Sequence, residues 1–411
     1  MVITYFSNYN DFIVSNHKLF EMGRRIRIAT IFSYDENWIA GTYYILNLIN
    51  ALNSLSDKEK PEIIVYTTKK SDSFPIQKTA FPYLKIIDQN IYAEQNTIEK
   101  YSLPERVLNK LSRIIFRSNC IKKRPDHSTL DFLFPGYDIF YFQNVKKLYW
   151  IPDLQEKFYP EYFNQDMIEN RKMNHIRLSE NLDANIVFSS NDSRNHFLKF
   201  YPSNKARTFV LHFTVTHPDI SEDDIDDLLI KYKLGKTYFI CPNQIWKHKN
   251  HLTVLKALKI VKEKGIFCQI VFTGKQSDHR NLNLYQELDS YVQQNQLQEY
   301  VRFTGFIERN EQLLLISESI AVVQPSLFEG WSTVVEDAKC LGKHIILSDI
   351  PIHREQIISN VDFFEPLNPE QLSLFLEKYL ISKPQVQEID YERNRVQFAS
   401  DFIDIVKMAK A

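Results

Sequence analysis

Hydrophobic positions along this chain switch repeatedly between a period of two and a period near 3.6, and the switches outline its elements. RIRIATIF at 25–32 is a β-branched run that reads as a first strand. A loop over 33–41 follows, and from Thr42 to about Leu55 apolar residues recur at helical spacing. Further strand-like runs lie at 62–67, 83–88, 137–142, 148–151, 184–189 and 207–211, with helical stretches between many of them. A second series falls at 237–241, 267–273, 301–304, 320–323 and 344–347, and a helical tail begins near Tyr391. Strands alternating with helices predict an α/β class with parallel, doubly wound sheets. No repeat, low-complexity tract or heptad seam interrupts the pattern.

Between the two series lies THPDISEDDIDD at 216–227, acidic, polar and marked by a proline. A chain of 411 residues exceeds one ordinary core. The expected division is therefore 1–215, 216–390 and a terminal helix at 391–411.

Composition narrows the function classes. A formal net charge of -1 gives no global attraction to nucleic acid or anionic lipid, so such binding would need a local patch. Cys120, Cys241, Cys268 and Cys340 show no CxxC or Cys/His ligand spacing, which points to a reduced, cytoplasmic, metal-free protein. The first 22 residues hold no signal-peptide core, and no run approaches the ~18 apolar residues of a membrane span.

Only 9 glycines occur, where average usage of about 7% would give roughly three times as many. Gly41, Gly274, Gly305 and Gly330 follow predicted strands, whereas Gly235, Gly265 and Gly342 follow helical stretches as C-cap glycines do. Any one of the first four fits a plain turn. Four together favour a ligand crevice beyond the carboxyl ends of the strands, where backbone approaches closely.

The densest chemistry is SLFEGWSTVVEDAKCLG at 326–342. Pro325 and Gly330 break the backbone, and Ser332 and Thr333 stand where an N-cap hydroxyl belongs, ahead of Val334 and Val335. A helix start there offers amides to an anion. Glu329 and Asp337 flank it, so phosphate and sugar hydroxyls both find partners. PNQIWKHKNH at 242–251 brings Lys247 and Lys249 into a loop that opens the next helix, well placed for a diphosphate. No acidic ligand cluster accompanies its histidines, so no metal site is expected.

Two stretches carry two readings each. WIPDLQEKFYPEYF at 150–163 sets Asp153 and Glu156 at the mouth of an aromatic loop, either a carbohydrate pocket or structural packing. LPERVLNKLSRIIFR at 103–117 places Arg106, Lys110, Arg113 and Arg117 opposite an apolar face. It is either a core-packed helix with a solvated side or a surface helix that docks on anionic headgroups.

Taken together, PSLFEGWSTVVEDAKCLGK, NQIWKHKNH, FTGK at 272–275, FTGF at 303–306 and SDIPIHREQ from Ser348 resemble the retaining glycosyltransferases of family 4, glycosyl transferases group 1. The resemblance is strong from Asn243 onward and weak before it. It implies a GT-B fold, two facing Rossmann-like domains with the acceptor on the first, the nucleotide sugar on the second and a C-terminal helix crossing back. Carried over, Glu329 contacts donor-sugar hydroxyls and Asp337 the ribose. Gly330, Trp331, Ser332 and Thr333 supply the diphosphate amides, and Lys249 is the phosphate lysine. Gly41, Asn243, Gln244, Lys247, Gly274, Lys275 and Phe306 complete the expected donor site, with Asp153 and Glu156 beside Glu329 as catalytic candidates.

Three positions depart from the family: Asp337 stands for the usual Glu, Asn243 and Gln244 for the phosphate arginine, and Glu156 for the first-domain histidine. The implied activity is retaining transfer from a nucleoside diphosphate sugar to a glycan or lipid-linked acceptor. It needs no cofactor or metal, and its expected setting is bacterial surface polysaccharide or glycolipid synthesis at the inner face of the plasma membrane, with 103–117 as the peripheral contact. A GT-B-type sugar-nucleotide epimerase and a non-catalytic nucleotide-binding scaffold are the competing classes.

Overall fold

A computed structural model describes residues 24–34, 39–67, 69–88, 104, 108, 110, 112, 129–218, 225–276 and 283–410. These divide into two compact units, one running up to Tyr149 and including the chain's end from Val406, the other spanning Trp150–Ile405.

In the first unit β1 (Arg27–Phe32), β2 (Glu62–Thr67), β3 (Leu84–Asp88), β4 (Phe132–Leu133) and β5 (Lys146–Ile151) follow the order β3-β2-β1-β4-β5. Pairing is parallel throughout: Ala29 lies opposite Ile64 and Leu133, and Val65 opposite Ile86. The spacing of helix α1 (Ile39–Leu52) predicts one buried face, but from Gly41 to Leu52 every residue except Tyr43 and Asn50 is buried, so packing encloses the helix on nearly all sides. It begins before Gly41, which therefore sits in the helix's first turn and not in the preceding loop. A five-residue helix, α2 (Ser73–Gln77), follows β2.

The expected strand at 137–142 is not formed. Phe140–Phe142 is a 3-10 turn, and the strand of that region is the short Phe132–Leu133 upstream. Phe142 packs edge-on to Tyr66 at 4.9 Å within a core shared with Ala29, Ile64 and Leu133, so the apolar run reports burial of a turn.

The second unit opens with α3 (Gln165–Glu180), β6 (Asn185–Phe188), α4 (Asn191–Phe200) and β7 (Arg207–Val210), the two strands pairing in parallel. A six-stranded parallel sheet follows, built of β8 (Phe239–Cys241), β9 (Ile270–Thr273), β10 (Val301–Gly305), β11 (Val322–Gln324), β12 (Ile345–Ser348) and β13 (Val361–Phe364). Its order is β10-β9-β8-β11-β12-β13, so strand order reverses between β8 and β11 while every pairing stays parallel. Strand residues alternate between two cores, as period two demands. Phe239, Cys241, Phe272 and Val323 pack with α6 (His251–Glu263) and α11 (Pro369–Ile381), and Ile240, Val271 and Val322 with α5 (Ile225–Tyr232), α8 (Arg309–Glu318) and α9 (Thr333–Cys340). The remaining helices are α7 (Leu284–Gln294), α10 (Pro351–Gln356) and α12 (Tyr391–Lys410).

The end of α12 belongs to the first unit, where Lys410 Nζ lies 3.1 Å from Asp131 Oδ1. Strand β13 escapes the sequence pattern because VDFF offers only four residues and an acid. After α5 the left-handed residue is Lys233, at φ 53°, not Gly235, while Gly265 and Gly342 do adopt positive φ after α6 and α9. Most of 103–117 lies outside the described residues; Pro104, Leu108 and Lys110 are helical and exposed, Ser112 helical and buried. No described helix is long and apolar enough to cross a membrane.

Candidate functional site

Ligands of open parallel sheets sit beyond the carboxyl ends of strands where strand order reverses, here between β8 and β11. The loops leaving those two strands are stitched together. Asn243 Nδ2 donates to Gln324 Oε1 at 2.5 Å, Leu327 N to His248 O at 2.8 Å, and Asn250 Nδ2 to Pro325 O at 3.1 Å. Across this seam Lys249 Nζ meets Glu329 Oε1 at 2.6 Å. The same carboxylate oxygen accepts from Gln324 Nε2 at 2.8 Å.

Helix α9 starts where its sequence says it should. Ser332 is the N-cap, its hydroxyl accepting from Val335 N at 3.4 Å. Its own amide donates to Gln356 Oε1 at 3.0 Å. Among the described residues the amides of Thr333 and Val334 have no partner, which leaves two first-turn donors for an anion.

Two glycines are required by close approach. A Cβ on Gly274, at φ 120°, would lie 2.6 Å from Asn243 O and 2.8 Å from Gln244 N, and one on Gly330 would strike Pro152 O. In both cases the neighbour is another loop of the protein, so these glycines join loops rather than admit a ligand directly. The effect still gathers the site: Gly274 and Lys275 abut Asn243 and Gln244, with Ile245 N donating to Lys275 O at 3.1 Å. Gly330 brings Asp153 against the loop of Glu329.

Asp337 is buried and accepts from His217 Nε2 at 2.8 Å and from Arg309 Nη2. Burial pushes its pKa up, but Arg309 and His217 outweigh that and hold the carboxyl below the usual range. The adjacent Glu336 faces another way, bonded to Tyr391 OH at 2.7 Å, Lys339 Nζ at 2.8 Å and Gln356 Nε2 at 3.0 Å. Trp331 stacks on His212 at 4.4 Å and donates Nε1 to Phe213 O at 2.9 Å, while His212 pairs with Glu355 at 2.7 Å.

The aromatic loop packs on the same region. Phe158 lies 5.5 Å from Phe328, Tyr159 stacks on Tyr162 at 5.2 Å, and Lys247 Nζ stands 5.9 Å from the Tyr162 ring. Its carboxylates, however, turn inward. Glu156 is fully buried and bound to Arg171 Nη1 at 2.6 Å, which also reaches Asp153 Oδ1 at 3.4 Å. Glu156 is thus an internal ion pair and not a group at the loop's mouth.

Of the expected donor residues, those at 243–249, 274–275 and 329–333 lie on adjoining loops, Asp337 stands one turn into α9, and Phe306 is exposed just after β10. Gly41 lies in the other unit. Sequence reasoning missed Gln324, Arg309 and His217. Gln324 left a trace, a single polar residue closing a buried strand; Arg309 and His217 reach Asp337 from 28 and 120 residues away and leave none. No group of three His, Cys, Asp or Glu with metal-holding geometry occurs among the described residues.

Solved structures place the architecture. A glycosyltransferase from Rickettsia africae aligns over 94% of this chain and 98% of its own, at TM-score 0.62 and 15% identity. Anabaena HepE, in complex with UDP and glucose, aligns over 94% and 95% at TM-score 0.57 and 12% identity. The fold is accordingly the α/β GT-B class. Within it, residues 227–395 match the family Glycosyl transferases group 1. By sequence the chain is similar to the O-antigen chain mannosyltransferase RfbU of Salmonella typhimurium, 22% identical over 216 residues. That match spans 53% of this chain and 56% of the relative, about half of each.

Proposed function

We propose that the chain transfers a sugar from a nucleoside diphosphate sugar to an acceptor hydroxyl with retention at the anomeric carbon, in bacterial surface polysaccharide or glycolipid synthesis. The observation that carries this is the pair Lys249 and Glu329 beside the Thr333 and Val334 amides at the switch point of the sheet. Relatives named for O-antigen mannosyl transfer and for a UDP complex support the setting and the donor class.

In this reading the diphosphate lies over the α9 amides and draws on Lys249, Glu329 holds sugar hydroxyls, Asp337 the ribose, and the exposed Phe306 ring meets the base. The bond from C1 to the leaving phosphate oxygen breaks as the acceptor oxygen bonds C1 on the same face, and the acceptor's proton passes to that phosphate oxygen. Charge on the leaving diphosphate is offset by lysine and helix amides, so turnover is expected to survive EDTA. Anionic lipid docking through 103–117 is part of the proposal. Charge reversal at Arg106, Lys110 and Arg113 should abolish cosedimentation with anionic vesicles and leave donor binding intact.

A thermal-shift panel of UDP, GDP, TDP and ADP sugars, followed by assay of acceptor-dependent nucleotide release, tests the function. Stabilisation by one donor and release only with acceptor support it. An epimerised donor, or binding without turnover, overturns it in favour of an epimerase or a scaffold.

A further inference from the structure

Gln324 ends β11 in a position where Val322 and Val323 bury hydrocarbon, yet it buries an amide completely. Such a group is costly unless its hydrogen bonds are made. Here they are. Its Oε1 accepts from Asn243 Nδ2 at 2.5 Å, which fixes the amide so that Nε2 is the end facing Glu329. Nε2 lies 2.8 Å from Glu329 Oε1, with Ser326 Oγ at 3.1 Å and Ser332 Oγ at 3.2 Å. Lys249 converges on the same Oε1, so both protein donors hold one carboxylate oxygen. Among the described residues none takes Oε2.

The two donors are not equivalent. Lys249 is a point charge on a flexible stem and is the group a diphosphate attracts. Gln324 is locked at the end of a central strand and carries no charge for phosphate to attract. We infer that Gln324 is a positioning residue that keeps Glu329 oriented, with Oε2 toward the donor sugar, when Lys249 turns to the diphosphate. The inference rests on the transferase reading above. It also gives a role to one departure from the family pattern, since Asn243, standing where the arginine is expected, is the residue that orients Gln324.

The consequence is selective. Loss of Gln324 should weaken a nucleotide sugar but not the bare nucleotide, because only the former engages Glu329. Calorimetry of wild type, Gln324→Met and Gln324→Glu with UDP, UDP-glucose, GDP and GDP-mannose reads this directly. For Gln324→Met the ratio of the sugar-nucleotide Kd to the nucleotide Kd should rise about tenfold, the scale of one bond to a charged group, with the nucleotide Kd within about twofold. Gln324→Glu sets a second carboxylate against Glu329. Its sugar-nucleotide affinity should be poorer at about pH 8 than at about pH 6, where a protonated Glu donates in place of the amide, a difference wild type lacks. An unchanged ratio in Gln324→Met, equal weakening of both ligands, or a pH-independent Gln324→Glu overturns the inference while leaving the transferase reading in place. Wild type that binds none of the UDP, GDP, TDP and ADP nucleotides or their sugars overturns the transferase reading and the inference with it.

Discussion

Glu329 and Glu156 each accept from a basic side chain at 2.6 Å, and the two pairs have opposite surroundings. At Glu329 the partners, Lys249 and Gln324, crowd one oxygen, and the carboxylate lies beside two unpartnered helix amides. At Glu156 the carboxylate is wholly buried, Arg171 is shared with Asp153, and the remaining neighbour is His175 at 3.7 Å. Burial, and next the Arg171 charge, push His175 down to about 4, so at neutral pH it brings no charge to the pair. An ion pair enclosed in this way ties α3 to the aromatic loop, whereas one with an open oxygen beside free amides is ready to be shared with a ligand. Charge type and spacing alone do not distinguish the two, nor does an unpartnered oxygen, since Glu156 Oε1 also lacks a hydrogen bond; the complete burial of Glu156 and the free amides beside Glu329 do.

The sharpest way to break the comparison is to neutralise each acid. Glu329→Gln should lower kcat by about 100-fold or more, the scale of losing one preorganised electrostatic contact, with little change in melting temperature. Glu156→Gln should do the reverse. It leaves Arg171 without its buried partner and costs about 1–2 kcal/mol, between an exposed pair and a fully buried one because the guanidinium is partly exposed. Thermal melts and kinetics on both variants decide it, and a Glu156→Gln enzyme that is stable but inactive would reverse the assignment. Next, Lys249→Ala should weaken nucleoside diphosphate binding by about 1.5–3 kcal/mol, as for a charged hydrogen bond. Unchanged affinity would place the lysine elsewhere in the complex.

A smaller effect separates the adjacent acids of α9. Consecutive helical residues diverge by about 100°, and Asp337 and Glu336 accordingly meet different partners. Asp337→Asn should raise the donor Kd at least about tenfold, or about 1.4 kcal/mol. Glu336→Gln should leave Kd nearly unchanged, because Glu336 serves Tyr391, Lys339 and Gln356. Calorimetry returning the opposite ranking would contradict that division.

Much of this was legible in the sequence, and the reasons are local. SLFEGWST spells a broken backbone, an N-cap and an acid within a few residues, and the structure bonds Ser332 to Val335 as that spelling requires. WKHKNH opens α6 beside it, and the alternation of strands and helices foretells both doubly wound arrangements. What stayed hidden was distant in sequence or set by packing. The bonds of His217 and Arg309 to Asp337 follow from tertiary contact alone. So does the capture of Glu156 by Arg171, fifteen residues on. The turn at Phe140–Phe142 read as a strand because aromatic burial against Tyr66 imitates strand hydrophobicity. The glycines after strands read together as lining a ligand crevice, but what approaches Gly274 and Gly330 is another loop of the same chain.

The smallest effect sharpens the comparison through one buried histidine on each side. His353 is fully buried beside the switch-point loops, within 2.8 Å of Ser348 O, and burial pushes it down to about 4, as it does His175. The unfolded chain takes up protons near 6.5 while the folded chain resists until about 4. Stability is therefore full above about pH 6.5 and falls as pH drops toward 4. Melts across that range should lose roughly a few °C to each histidine, and His353→Gln or His175→Gln should each flatten the slope. A melting temperature that rises on acidification would contradict both.

The central claim is that a nucleotide sugar lies at the β8–β11 switch point with its sugar against Glu329. A crystal structure with the donor picked out by the nucleotide-sugar panel tests it most directly. The account predicts diphosphate oxygens on the Thr333 and Val334 amides and Lys249, sugar hydroxyls on Glu329 Oε2, and ribose on Asp337. A donor bound with its sugar away from Glu329, or its diphosphate away from the start of α9, would contradict it.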